Sequence, residues 1–181
     1  MRPDSAEVAV IGAGLVGSLL SVFLAQRGHR LTVYERLADM RHESSAAGRS
    51  INLAISTRGL QALDRVGLVE EVLKRATPMR GRMMHSPKGE LTFQRYGRDD
   101  SEYINSISRA DLNKILMSAA ENTGRVKIEF DHAVDDLSAL DVPTIFAADG
   151  SGSAARRALA ANPGFTNVES QLDHGYKELA I

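Results

Sequence analysis

The hydrophobic pattern opens on a nearly continuous apolar run, Glu7 to Ile11. It does not alternate, as expected of a strand covered on both faces of a parallel sheet. From Gly14 to Gln26 the period becomes helical, with Leu15, Leu19, Val22 and Phe23 on one side and Gly28 as a stop. "LTVYE", residues 31–35, predicts a second strand, completing a strand–helix–strand unit with a right-handed crossover. The polar segment Arg36 to Asn52, with "SSAAGRS", reads as a loop. Two helices follow, Thr57 to Val66, closed by Gly67, and Val69 to Arg75.

"RGRMMHS" and "LTFQRY" flank the turn residues "PKGE" and predict a β-hairpin. In its first strand Arg80 and Arg82 stand two apart and project to one face. "YINSISR" predicts another strand. Ser108 and Asp111 form a capping box for the helix "ADLNKILMSAAEN", whose buried stripe is expected at Leu112, Ile115, Leu116 and Ala119. "VKIEF" and "TIFAADG" supply further strands, "SGSAARRALA" a short helix, and "HGYKELAI" a strand-like alternation. The fold class is α/β, a Rossmann-like parallel sheet with an inserted hairpin layer. Ending inside a strand pattern suggests a fragment, with a naturally short domain as the alternative.

Composition narrows the chemistry. The 181 residues are 43% hydrophobic and 25% charged, with formal net charge -1. Near-neutral charge argues against partners held by bulk electrostatics, whether nucleic acid or an anionic membrane. The absence of cysteine excludes disulfides, iron–sulfur clusters and thiolate nucleophiles, and fits a cytoplasmic setting. Histidines 29, 42, 85, 132 and 174 are scattered without metal-ligand spacing, so no metal is expected. His85 and His132 read as ordinary core or surface residues. No run approaches the roughly 18 apolar residues of a membrane span, and "MRPDSAEVAVIG" has no leader pattern.

The sharpest motif is "VAVIGAGLVG", which places Gly12, Gly14 and Gly17 in G-x-G-x-x-G spacing between strand and helix. The first glycine permits the tight turn, the second admits a pyrophosphate to the backbone, and the third lets helix and strand pack closely. A helix N-terminus then offers N–H groups to the phosphates. Glu35 closes the second strand, eighteen residues past Gly17, where a carboxylate can hold ribose hydroxyls. The fingerprint indicates a dinucleotide without choosing between NAD and FAD.

A second motif, "TIFAADGSGSAARRAL", sets Asp149 and Gly150 at a strand end before a helix with Arg156 and Arg157. Together the two motifs resemble the paired fingerprints of flavoprotein aromatic hydroxylases, in which this aspartate lies near flavin and nicotinamide cofactor. The blocks "GRSINLAISTRG", "MRGRMMHS", "YGRDDSEYINSISRADLNKIL" and "HGYKEL" resemble, in order and separation, the kynurenine 3-monooxygenase family. The likeness runs from Val8 to the end of the chain.

That resemblance implies roles. Arg82 and Tyr96 would bind the amino-acid carboxylate of L-kynurenine, with Arg80 structural or a secondary electrostatic contributor. An arginine and a tyrosine hydroxyl suit a carboxylate. Val16 of the glycine loop, Tyr34, Glu35, Arg36 and Leu37 around the adenosine ribose, Ala54 and Arg109 would contact FAD. Residues 1–165 would form the FAD-binding domain and 166–181 the start of a substrate domain. The implied reaction converts L-kynurenine to 3-hydroxykynurenine with NADPH and O2, using no catalytic side chain in this segment. The 133–148 stretch is shorter than the family's and leaves a flavin contact near Val134 in doubt. Alternatives are a flavin hydroxylase for another aromatic acid, or a dinucleotide-binding fragment without catalysis; an NAD-dependent dehydrogenase is disfavoured by the Asp149 motif. Oligomeric state is not legible in the sequence.

Overall fold

Four short strands form the parallel sheet on which everything else is hung. A computed structural model describes residues 8–42 and 51–175. Strand β1 is Val8–Ile11 and helix α1 is Leu15–Ala25. Strand β2 is Leu31–Tyr34, paired parallel to β1 with Val8 opposite Leu31 and Ile11 opposite Tyr34. Gly28, at φ 96°, turns the chain between α1 and β2 in a conformation that favours glycine.

The next part of the chain leaves this sheet. β3 (Asn52–Ile55), α2 (Thr57–Asp64), α3 (Val69–Leu73) and β4 (Thr77–Met79) lead into the hairpin β5 (Gly81–His85) and β6 (Leu91–Arg95). β7 (Ile104–Ser108) lies between β3 and β4 in an antiparallel sheet of order β3-β7-β4. Helix α4, Arg109–Asn122, then returns the chain to the parallel sheet. β8 (Val126–Glu129) pairs with β2, and β9 (Thr144–Ala147) with β1, giving the order β8-β2-β1-β9. Helix α5, Ala154–Ala160, follows β9.

The core lies where α1 and α4 cover this sheet. Val10 and Val33 in the central strands are fully buried, as are Val22 of α1 and Leu116, Met117 and Ala120 of α4. Ser18 and Ser21 are buried as well, each hydroxyl donating to a backbone carbonyl of its own helix or loop, at Ala13 and Gly17. The hydroxyls are therefore satisfied without water, and the small side chains let α1 sit close to its neighbours.

Three expectations change. Of the loop expected over Arg36 to Asn52, residues 43–50 lie outside the described residues, and Asn52 already opens strand β3. The apolar pattern does not predict this strand, because backbone pairing to β7 holds it. The short β4 contains Pro78 and was not anticipated; it is an edge strand, where proline's missing N–H costs no ladder bond. In α4, Met117 and Ala120 are buried in place of Ala119, because the helix is covered by α1 on one side and the sheet on another, widening the stripe. Ser108 caps that helix as expected, its Oγ accepting from the Asp111 amide at 3.4 Å. Between residues 131 and 143 the described structure has only a single 3-10 turn, Leu137–Ala139. Residues 166–175 form no helix or strand, and most of "HGYKELAI" lies outside the described residues.

Candidate dinucleotide cradle and carboxylate clamp

Strand pairing decides what converges at the carboxyl end of β1. Ile11 is flanked by Tyr34 on one side and Ala147 on the other, so both sequence motifs emerge side by side. The chain leaves β1 toward β2 through α1, while β9 lies on the opposite side. Such a switch point is where open α/β sheets bind their ligands.

Gly12 adopts φ 97°, and a Cβ there would lie 2.7 Å from the Ala148 carbonyl oxygen and 3.0 Å from Asp149 Cα. The glycine therefore permits backbone contact between the two motifs. A Cβ on Gly17 would fall 1.9 Å from the Gly12 carbonyl oxygen, so this glycine is required for the loop to fold back on α1. Gly14 differs: a Cβ there meets nothing within 4 Å. The space is open in front of the first turn of α1, on the side a phosphate would approach.

Ala13, between these glycines, is held at both ends of its residue. Its N–H donates to Glu35 Oε2 at 2.8 Å. Its carbonyl accepts from Ser18 Oγ at 2.9 Å and Asn113 Nδ2 at 3.1 Å. The other Glu35 oxygen accepts from the Leu37 amide at 3.0 Å. Each carboxylate oxygen has a further lone pair, leaving acceptor capacity for a hydroxyl ligand. Tyr34 meets the His132 ring at 4.8 Å between centroids, and the His132 amide donates to the Glu35 carbonyl. Leu37 and Val16 are exposed apolar residues, at 61% and 69%. Arg36 and Arg109 are also exposed, Arg109 with its amide donating to the Ile51 carbonyl. Val16 and Ala54 line one open groove of about 670 Å³ between α1, β3 and α2.

The Asp149 carboxylate is bound within its own motif. Oδ1 accepts from Ser153 Oγ at 2.6 Å, and Oδ2 from the amides of Ala154 at 2.7 Å and Ala155 at 3.2 Å. Partial burial opposes its ionisation, but the Ser153 hydroxyl and these amides prevail and hold the carboxyl below its ordinary range. Asp149 thus fixes the start of α5 against the backbone that touches Gly12.

A glycine loop shaped for close approach, an open α1 start and an acidic residue with spare acceptors fit a dinucleotide. The model of the FAD binding domain family matches residues 5–141. The chain belongs to that family. FAD is accordingly the dinucleotide of this domain.

Similarity to individual proteins extends across the FAD-binding chain. It is 54% identical over 96% of its length to a kynurenine 3-monooxygenase of Myxococcus xanthus, and 45% identical over 98% to one of Stenotrophomonas maltophilia. It spans about two fifths of these relatives, 41% and 42% respectively. Among solved structures, PqsL of P. aeruginosa matches 92% of the chain and 48% of its own, with TM-score 0.66 at 23% identity. p-Nitrophenol 4-monooxygenase PnpA of Pseudomonas putida matches 72% and 34%, with TM-score 0.57 at 22% identity. These two agree in fold. Among the described residues, no helix is long and apolar enough to cross a membrane.

The hairpin holds the other candidate residues. Arg82 lies directly opposite Gln94 in the β5–β6 ladder, and the Tyr96 amide donates to the Arg80 carbonyl at 2.9 Å. Pleating therefore places Arg80, Arg82, Gln94 and Tyr96 on one face. The Arg80 guanidinium lies 5.9 Å from the centre of the Tyr103 ring. Arg82 and Tyr96 are exposed.

Sequence reasoning missed Asn113, Ser18 and His132. Asn113 left a trace, a polar residue beside Leu112 at the margin of the apolar stripe. Ser18 and His132 had no signal: Ser18 bonds a backbone carbonyl five residues back in the glycine loop, and His132 meets the Tyr34 ring across the fold.

Proposed function

We propose that this chain supplies the FAD-binding part of a monooxygenase that converts L-kynurenine to 3-hydroxykynurenine with NADPH and O2. The observation that carries this reading is the 54% identity, over 96% of the chain, to a kynurenine 3-monooxygenase. In this reading, residues 1–165 are the FAD-binding domain and 166–181 lead into a substrate domain. The protein acts in the cytoplasm.

Gly12, Gly14, Val16 and Gly17 form the pyrophosphate loop, Tyr34, Glu35, Arg36 and Leu37 surround the ribose, and Ala54 and Arg109 give further contacts. Asp149 holds the second motif against the loop. Bound FAD supplies the redox chemistry that takes hydride from NADPH and activates oxygen. The chain's own residues bind and orient. Arg82 presents a cation, and Tyr96 a hydroxyl, to the substrate carboxylate, fixing the arylamine ring for attack beside its amino group.

The test is turnover by protein made from the complete gene, supplied with FAD, NADPH, oxygen and a panel of small aromatic acids. The expected result is NADPH consumption stimulated by L-kynurenine, with product heavier by one oxygen. Stimulation by another aromatic acid alone would replace the substrate, and consumption without hydroxylation would overturn the reading.

A further inference from the structure

Four arginines occupy the hairpin region, and they are not equivalent. Arg95 is paired with Asp100, and Arg98 with Glu102 at 2.5 Å. Arg80 lies over the Tyr103 ring. Arg82 instead donates from Nε to the neutral Gln94 Oε1 at 2.8 Å. Among the described residues, no carboxylate lies within ion-pair distance of the Arg82 guanidinium.

The register that makes this pair is tightly specified. Gly81 precedes Arg82, and a Cβ on it would lie 2.4 Å from the Gln94 carbonyl oxygen and 2.5 Å from the Phe93 ring. The two strands and the Phe93 ring therefore close over Gly81. A one-residue slip would bring a side chain into that space and move Gln94 to the other face.

We infer that Gln94 is a positioning residue, which holds Arg82 by Nε so that its two terminal nitrogens and its uncompensated charge serve a substrate carboxylate. This rests on the proposed carboxylate role of Arg82. A guanidinium has five N–H donors in a planar fork, and one bond at Nε leaves the outer four in a fixed plane. A neutral amide can do this without cancelling the charge. A glutamate could hold the same nitrogen, but would turn the site into an internal ion pair and repel an incoming carboxylate.

The experiment measures binding of L-kynurenine and of its decarboxylated amine to FAD-loaded protein from the complete gene, in wild type and in Arg82→Ala, Gln94→Ala and Gln94→Glu. Retained flavin absorbance and unchanged thermal midpoint show that each variant is folded. The expected order for kynurenine is wild type, Gln94→Ala weaker by about three- to ten-fold, the loss of one ordinary hydrogen bond, then Gln94→Glu weaker still. The decarboxylated amine should bind Gln94→Ala as it binds wild type. If Arg82→Ala leaves kynurenine affinity unchanged, the carboxylate reading itself fails. If Arg82→Ala weakens only kynurenine while both Gln94 variants match wild type, or weaken both ligands alike, the positioning role fails alone.

Discussion

The Glu35 carboxylate accepts the Ala13 amide at 2.8 Å, joining the end of β2 to the middle of the glycine loop. The acidic residue that closes the fingerprint is thus a structural member of the loop, besides the ribose-acceptor role proposed for it. The two functions separate by substitution. Glu35→Gln keeps one acceptor oxygen, whereas Glu35→Ala removes both and leaves the Ala13 N–H without its partner. FAD affinity should fall on the order of ten- to a hundred-fold in the alanine variant, and less in the glutamine variant. Flavin fluorescence titration measures both; equal losses would contradict a dual role.

Gly14 and Gly17 should respond oppositely to the same added methyl. Gly17→Ala drives Cβ against the Gly12 carbonyl, which is backbone and cannot swing aside. It should lose about 3 kcal/mol or more of stability. Gly14→Ala meets open space and should remain folded within about 1 kcal/mol, while its methyl enters the region a pyrophosphate approaches. Thermal unfolding and FAD titration together separate the two outcomes.

Asn113 ties α4 to the Ala13 carbonyl, but its own Oδ1 is buried without a partner. Leucine removes the bond and the unsatisfied oxygen together, so Asn113→Leu should change stability by less than about 1 kcal/mol. Asn113→Asp puts an acceptor against the carbonyl and should cost about 2–3 kcal/mol. Chemical denaturation checks the order.

Asp149 predicts a pH dependence. Its native pKa is lowered, so its contribution is complete above the ordinary carboxylate pKa, about 4, and is lost as pH falls through the native value. Asp149→Ala, studied without FAD, should be less stable at neutral pH by about 1–2 kcal/mol, the cost of a lost helix cap. The gap should narrow below about pH 4. A gap independent of acid would show that the carboxylate's charge is not what secures α5.

Local chemistry made much of this fold readable. The β1–α1–β2 unit, the hairpin around "PKGE" and the α4 cap each rest on nearby residues: Gly28, Gly89 and Ser108 act within a few positions of their own elements. β3 and β4 were illegible because their strand state comes from pairing with β7, far along the chain. At the cradle, spacing pointed to Gly12, Gly17 and Glu35. It could not show that Ala13 is held by Asn113 from one hundred residues away. Nor could it reveal that Asp149 spends both oxygens on α5.

The most direct measurement is a visible spectrum of the 181-residue chain after incubation with FAD and removal of free flavin. Wild type should carry the flavin band through gel filtration, and folded Gly14→Ala should elute with little of it. A folded wild-type chain that binds no FAD, or a Gly14→Ala variant that binds it equally, would contradict the cradle assigned to this loop.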